Sequence, residues 1–399
     1  APTLALTEAQ RGTIFFFGSV ETIVDSEGTH THPFAGAVRL TEEADSVDLG
    51  EGGGLILGDS STLNPADTLA GGNGRDVLAL FGGGVFRLDQ LTAFTGFDAL
   101  QLVNLVSGSA SLWLPEDCAI DLALTGDGVE VVVGDGYSGS ITSDAFMAQF
   151  SLGSGSSATI VATAGDTNTF VLGDNSTLTI TATGRHNEFV IGDNATTTIT
   201  ATGSSGSFYL GTGRETITGG SGTDRFRVEG VGDLAADDML DGGEGTDDAV
   251  EITLPDGSTF DLTAGIVLMN IDRLSFYCAD GVLLMSQASL AGLSQLGGAA
   301  TARMITGEAT LDLSGMSVSD IKIASSHADG TVFTVDSVAA ALQVFGGPGE
   351  DTISAPELTF TAEELEAIFL GGSIEIVRDA SGNHTSGGSG NFEPGLLLA

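Results

Sequence analysis

Phe170-Val171-Leu172-Gly173-Asp174-Asn175-Ser176-Thr177-Leu178-Thr179-Ile180-Thr181-Ala182-Thr183-Gly184 is followed at once by a close version of itself that runs from Phe189 through Ile199 to Gly203. The repeat extends outward in both directions. Leu112, Val131, Phe150, Phe170, Phe189, Phe208 and Phe226 are spaced 19, 19, 20, 19, 19 and 18. Two residues beyond each lie Leu114, Val133, Leu152, Leu172, Ile191, Leu210 and Val228, and a third series runs Ile141, Ile160, Ile180, Ile199 and Ile217. An i, i+2 apolar pair marks a short strand with one face inward. Each unit thus holds two strands, separated by turns such as Gly173-Asp174-Asn175-Ser176 and Ala182-Thr183-Gly184. One unit cannot bury its apolar face alone, so successive units must stack as coils. The expected fold is all-β: a parallel β-solenoid or β-roll with about 19 residues per coil. A sandwich of antiparallel hairpins would need no constant period.

Composition narrows the function. The 399 residues carry 12 basic and 54 acidic side chains, a net charge of −42, and the one lysine is Lys322. So few cations exclude a nucleic-acid binder, which displaces counterions with Lys and Arg, and exclude basic docking on anionic lipid. Glycine contributes 59 residues, yet 41% of the chain is apolar and the mean hydropathy is +0.24, enough for a large core. Such a chain needs counter-cations to stay compact, and divalent metal is the first suspect. No apolar run reaches the roughly 18 residues of a membrane span. There is no basic-then-apolar leader; the start Ala1-Pro2 suggests either a cleaved leader or a trimmed methionine. Cys118 and Cys278 are two buried small side chains or one long-range disulfide.

Nine-residue glycine motifs of the form G-G-x-G-x-D-x-U-x, U being apolar, begin at Gly71, Gly219, Gly242 and Gly346. Degenerate copies precede two of them, with Asp67 and Leu69 in the first case and Gly211, Gly213, Glu215 and Ile217 in the second. Glycine lets the backbone turn, the aspartate adds a hard anionic oxygen, and together they suit Ca²⁺. These nonapeptides resemble the RTX (hemolysin-type) calcium-binding repeats of secreted Gram-negative bacterial proteins, a resemblance that implies a parallel β-roll and Ca²⁺ as cofactor. It places calcium on Asp67, Gly71, Asn73 and Asp76; on Gly211 and Gly213; on Gly219, Ser221 and Asp224; on Gly242, Glu244 and Asp247; and on Gly346 and Asp351. The four full motifs are scattered rather than in tandem, which departs from the family's pattern of ions shared between neighbouring loops. A second acidic row, Asp59, Asp135, Asp174 and Asp193, reads as a cation ladder or as turns capped by their own side chains.

The two ends match at an offset of 354. Thr7 to Phe15 aligns with Thr361 to Phe369, Gly18 to Glu21 with Gly372 to Glu375, and Asp25, Gly28, His30 and Thr31 with Asp379, Gly382, His384 and Thr385. Capping boxes at Thr7…Gln10 and Thr361…Glu364 predict a short helix in each copy, ended by glycine (Gly18; Gly371 or Gly372) and followed by a strand (Val20 to Val24; Ile374 to Val377). A further match at an offset of 174 pairs Phe86-Arg87-Leu88 with Phe260-Asp261-Leu262, and Asp98 with Asp272. The expected division is a helix–strand module at 1–60, an RTX-type module at 61–109, the solenoid at 110–250, a second strand module at 251–345 and a closing loop and helix–strand module at 346–399. This assembly looks like the modular surface proteins of Gram-negative bacteria, including calcium-dependent surface-layer proteins.

No H-E-x-x-H or G-x-S-x-G motif is present, so no enzyme is expected. His30-Thr31-His32 reads as a metal pair or as a polar loop. The apolar tetrad Leu396-Leu397-Leu398-Ala399 is similar to uncleaved type I secretion signals, which implies an extracellular or cell-surface location. The expected function is a calcium-stabilised structural protein that assembles with copies of itself, or on the bacterial cell surface, into a surface layer or filament. The alternative is an ice- or glycan-binding module of an RTX adhesin, resting on the outward pairs Ser140/Thr142, Thr159/Val161, Thr179/Thr181, Thr198/Thr200 and Thr216/Thr218. Threonine's preference for exposed strand positions explains the same pairs without a ligand.

Overall fold

The computed structural model describes residues 22–31, 36–105, 108–163 and 165–386. The chain is a parallel β-solenoid with roughly 20 residues per turn. It divides into two compact units, residues 1–147 and 148–399.

The cause of the fold is visible in the second unit. Its strands Thr167–Leu172, His186–Val190, Ser205–Tyr209 and Arg225–Val228 lie parallel, with Phe170 opposite Phe189, Phe189 opposite Phe208 and Phe208 opposite Phe226. The four rings, with Phe150, are fully buried and stacked at centroid separations of 4.7–5.0 Å. That spacing is the distance between hydrogen-bonded strands, so the backbone sets it and the rings follow. The isoleucine series stacks likewise on the strands Ser157–Ala162, Thr177–Ala182, Ala195–Ala201 and Gly213–Thr218, and Ile160, Ile180, Ile199 and Ile217 are all buried. Alternation inward and outward, rich in β-branched residues, suits strands that face the core on one side only.

Coiling is not confined to 110–250. In the first unit, Ile56 stands opposite Leu78, Leu78 opposite Leu100 and Leu100 opposite Leu122, all buried. In the second unit, Phe226, Val250, Leu274, Leu296 and Val318 continue one column, and Phe333, Ile353 and Val377 form another. The coils from Phe226 to Val318 and from Ile353 to Val377 are longer than the regular ones of the phenylalanine column, and the surplus lies in the bends. Parallel coil-to-coil strand pairing thus extends through the described parts of 61–109 and 251–345.

At the C-terminus the helix Ala362–Gly372 begins at Thr361 with the expected capping box, Thr361 and Glu364 satisfying each other's amides. Ser373, in the left-handed conformation at φ 52°, ends it in place of a glycine. A hairpin of Ile376–Asp379 and Gly382–Thr385 follows. At the N-terminus Thr22–Asp25 and Gly28–Thr31 form an antiparallel hairpin. The helix expected after Thr7, His32 and the tail from Asn391 to Ala399 lie outside the described residues, as does the side chain of His30. Cys118 and Cys278 are free thiols, half-buried and buried respectively, and burial pushes the Cys118 thiol up to about 11. No described helix is long and apolar enough to cross a membrane.

Candidate metal site in the coil bends

The acidic residue of each nonapeptide stands two residues before an inward apolar side chain, and in the folded chain this position forms columns. In the second unit one column runs Asn168, Asn187, Gly206, Asp224, Asp248 and Asp272, ahead of Phe170, Phe189, Phe208, Phe226, Val250 and Leu274. Its members bond from coil to coil and within their own bend. Asn168 Nδ2 donates to Asn187 Oδ1 at 3.0 Å, and Asn187 Nδ2 to the Gly184 carbonyl at 2.9 Å. The Asp224 amide donates to Asp248 Oδ1 at 2.7 Å, and the Asp248 amide to Asp272 Oδ2 at 3.0 Å. Gly206 breaks the column of side chains because a Cβ there would come within 2.5 Å of the Phe208 ring and 2.7 Å of Asp224 Oδ1.

A second column holds Thr197, Glu215 and Asp238, two residues before Ile199, Ile217 and Leu240. In the first unit Asp45, Asp67, Asp76 and Asp98 occupy equivalent places, and near the C-terminus Thr331, Asp351 and Glu375 do so. At Asp67, Asp98, Asp238, Asp248, Asp272, Asp351 and Glu375 this position accepts main-chain amides from the neighbouring coil.

These carboxylates fall into two groups. Asp67 accepts from the Asp45 and Asn64 amides, Asp238 from Glu215 and Ala235, and Asp351 from Thr331 and Gly347, so both oxygens of each are used. By contrast, both oxygens of Asp76, both of Glu215, Oδ1 of Asp224 and Oδ2 of Asp248 are buried without a hydrogen-bond partner. Thr197 Oγ1 is likewise buried and unpartnered. Burial pushes Glu215 up to about 9, with the Asp238 charge adding to it. Burial also pushes Asp224 up to about 6, against the Gly220 amide at 2.9 Å and the Gly206 amide, which hold it down. Asp248 is raised for the same first reason. A buried anionic oxygen with no donor is costly, and it is relieved by a proton or by a cation.

The structure places the sequence-derived ligands differently from one another. Each carboxylate oxygen of Asp67 and Asp351 accepts one main-chain amide. Asp351 also has a neighbour one coil on, since its own amide donates to Glu375 at 2.8 Å, whereas the motif spacing alone leaves it isolated. Asp247 does not point inward: it is exposed, has φ 73° and pairs with Arg273 at 3.3 Å. The coil from Phe226 to Val250 is longer than the one from Phe208 to Phe226, and its added length moves the inward role to Asp248. Gly219 and Gly346 are demanded by coil stacking: a Cβ at either would meet a main-chain oxygen of the next coil, at 2.6 Å (Gly242) and 1.9 Å (Ser373). Gly71, Gly211, Gly213 and Gly242 are crowded in the same way.

Asn73 reaches Glu51, while the Ser221 and Glu244 amides donate to the carbonyls of Gly203 and Gly220. Asp174 and Asp193 are turn caps that act between coils: Asp174 Oδ1 accepts from the Asp193 amide at 2.8 Å and Asp193 Oδ1 from the Thr212 amide at 3.1 Å. Asp59 caps its own turn through Ser61 and Thr62.

Among the described residues no three His, Cys, Asp or Glu side chains converge on one point. The unpartnered oxygens of Asp76, Glu215, Asp224 and Asp248 nevertheless fit a hard cation, whose remaining ligands would be main-chain carbonyls, hydroxyls such as Thr197 and water. No protein-family model matches the chain, and no curated protein or solved structure matches it either.

Proposed function

We propose that this chain is an extracellular, non-catalytic structural protein that assembles with copies of itself into a surface layer or filament, stiffened by Ca²⁺ in its coil bends. The observation that carries the reading is the set of buried carboxylate oxygens without partners on Asp76, Glu215, Asp224 and Asp248, in a chain of net charge −42. Each is a cost to the metal-free fold and a ready ligand for a divalent ion. Calcium then links folding to an extracellular medium, where that ion is plentiful. Electron microscopy of the purified chain with calcium, and again after EGTA, tests this. Ordered arrays that dissolve on chelation are expected; dispersed particles in both conditions overturn the reading.

A second reading is favoured by one observation. On the second unit Thr179, Thr198 and Thr216 stand in register on adjacent strands, and Thr181, Thr200 and Thr218 form a parallel row beside them. Thr179 and Thr198 are exposed, and such a regular hydroxyl grid suits an ordered surface such as ice or a glycan. Val161 interrupts the second row opposite Thr181. Thermal hysteresis that disappears when Thr179, Thr181, Thr198 and Thr200 are replaced by lysine would establish this use of the face; no hysteresis in the unmodified chain removes ice from it.

A further inference from the structure

Five strands of the second unit, Thr259–Asp261, Val282–Met285, Arg303–Thr306, Lys322–Ser325 and Val344–Phe345, form one parallel sheet. Its outward side carries two columns. In the first, Val282 stands opposite Arg303 and Arg303 opposite Lys322. In the second, Leu284, Ile305, Ala324 and Phe345 follow one another in register, all half-buried.

Like charges directly opposite each other weaken a sheet, and a chain with 54 acidic side chains has carboxylates to set against them. Elsewhere in this unit it does so: Glu251 lies against Arg225 and Arg227, and Asp247 against Arg273. Arg303 and Lys322 are exposed, and among the described residues neither makes an ion pair, although Asp280 and Asp320 stand in the bends just before them. The Lys322 ammonium lies instead 5.2 Å from the centre of the Phe345 ring.

A matching stripe runs along the helix Ala362–Gly372. Glu363, Glu366 and Leu370, spaced i, i+3 and i+7, share one side of it and are exposed, Leu370 at 60%. The capping box uses Glu364 and leaves these two acids unengaged. The helix packs against Val344–Phe345 at the end of its own chain's sheet with this stripe outward. Glu366 and Leu370 stand about 4.5 and 10.5 Å beyond Glu363 along the helix. Arg303 and Val282 stand about 4.8 and 9.6 Å beyond Lys322 across the sheet. Two acids and an apolar side chain thus face two cations and an apolar side chain in the same order, at spacings that agree within about 1 Å.

We infer that these two surfaces join copies of the chain: the helix of one lies along the outward columns of another, with Glu363 on Lys322, Glu366 on Arg303 and Leu370 on Val282, while the body of the helix shields the half-buried Leu284, Ile305 and Ala324 beside them. A second copy is the occupant because the columns call for an acidic stripe with an apolar end, and this chain carries one at the required spacing. One helix on one sheet is a small contact, so it is weak alone and gains strength by repetition in an array. The inference rests on the self-assembly reading and names one joint of it.

Charge exchange in the full-length chain, in calcium, tests the joint. Sedimentation velocity of the unmodified chain should show mass rising with concentration, and the rise should shrink as added salt screens the pairs. Glu363→Lys with Glu366→Lys should weaken association at least roughly tenfold, and Arg303→Glu with Lys322→Glu should do the same, because like charges then meet. An equimolar mixture of the two variants should associate again, since the lysine helix of one fits the glutamate column of the other. Leu370→Glu, at an exposed position, should give the same loss, and it serves if circular dichroism shows that the helix does not tolerate lysine in its first turn. An unmodified chain that stays monomeric throughout, association that ignores these changes, or a mixture that stays apart overturns the joint. If calcium-dependent arrays in the electron microscope survive every variant, the layer reading stands and this joint falls. If the joint behaves as described but no array forms in calcium, the joint stands and the layer reading falls.

Discussion

Glu215 has the most unfavourable surroundings of the carboxyls in the coil bends: it is buried, both its oxygens lack a donor, and Asp238 lies one coil away. Glu215 and Asp224 both bind their protons more tightly folded than unfolded. Their protonation therefore stabilises the fold fully below the ordinary carboxylate range, and that contribution is lost as pH rises, through about 6 for Asp224 and about 9 for Glu215. Melting in EGTA should thus fall in midpoint from acid to alkaline pH, and Glu215→Gln should flatten the upper part of that slope. Calcium competes with the proton and should oppose the fall. A chelated chain whose midpoint ignores pH across this range would show that these carboxyls are not enclosed. Asp224 and Asp351 should differ too. Asp224 Oδ1 lacks a close hydrogen-bond partner, with only the Gly206 amide near it, whereas each oxygen of Asp351 accepts a well-formed amide bond. By isothermal titration Asp224→Ala should remove calcium binding that Asp351→Ala leaves intact. Asp351→Ala should instead cost about 1–3 kcal/mol by stranding the Thr331 and Gly347 amides. Equal losses of calcium binding in the two variants would contradict this division. The motif exposes the aspartates but not their division, because a D-x-U pattern records spacing and not how many amides reach each oxygen. Asn168 and Asn187 escape the motif for a related reason: they carry no charge, though their place two residues before Phe170 and Phe189 is plain in the sequence.

The stacked phenylalanines are the strongest repeated element. Phe170 is sandwiched between Phe150 and Phe189 at 5.0 and 4.7 Å, with no exposure. Coils held by strand pairing on both sides cannot collapse into a vacated ring, so Phe170→Ala or Phe189→Ala should cost about 3–5 kcal/mol in chemical denaturation. A cost under about 1 kcal/mol would mean that the column does not carry the core. This column is legible in the sequence because one residue type recurs at a near-constant interval. The coils beyond it are not, because their column residues change to Val250, Leu274 and Leu296 while the interval between them lengthens and varies. A search for one period finds the regular coils and misses the rest, although the same physics builds both. The C-terminal helix is legible for a local reason: Thr361 and Glu364 specify its start whatever the surroundings.

For the molecule as a whole, charge is the governing quantity. Each Ca²⁺ bound as proposed would remove two units of negative charge from a chain at −42 and tie bends that the glycine-rich sequence leaves entropically loose. A site filled at a hundredfold excess over Kd adds about 2.7 kcal/mol. The unfolding midpoint should therefore rise with calcium at constant ionic strength and fall with EGTA; an unmoved midpoint would refute calcium as the counter-ion. The variable bends also have a consequence for how such a chain changes over generations. Within one sheet the inward columns keep their register whether the next coil is short, as from Phe208 to Phe226, or long, as from Phe226 to Val250. Length is counted only at the strands. Residues added at the exposed part of a bend swing outward, as Asp247 does, so a change of length there costs less than substitution in a column or at a glycine packed against the next coil. Descendants of such a chain can drift apart in length and loop sequence until little alignable likeness is left, and still fold into the same coil.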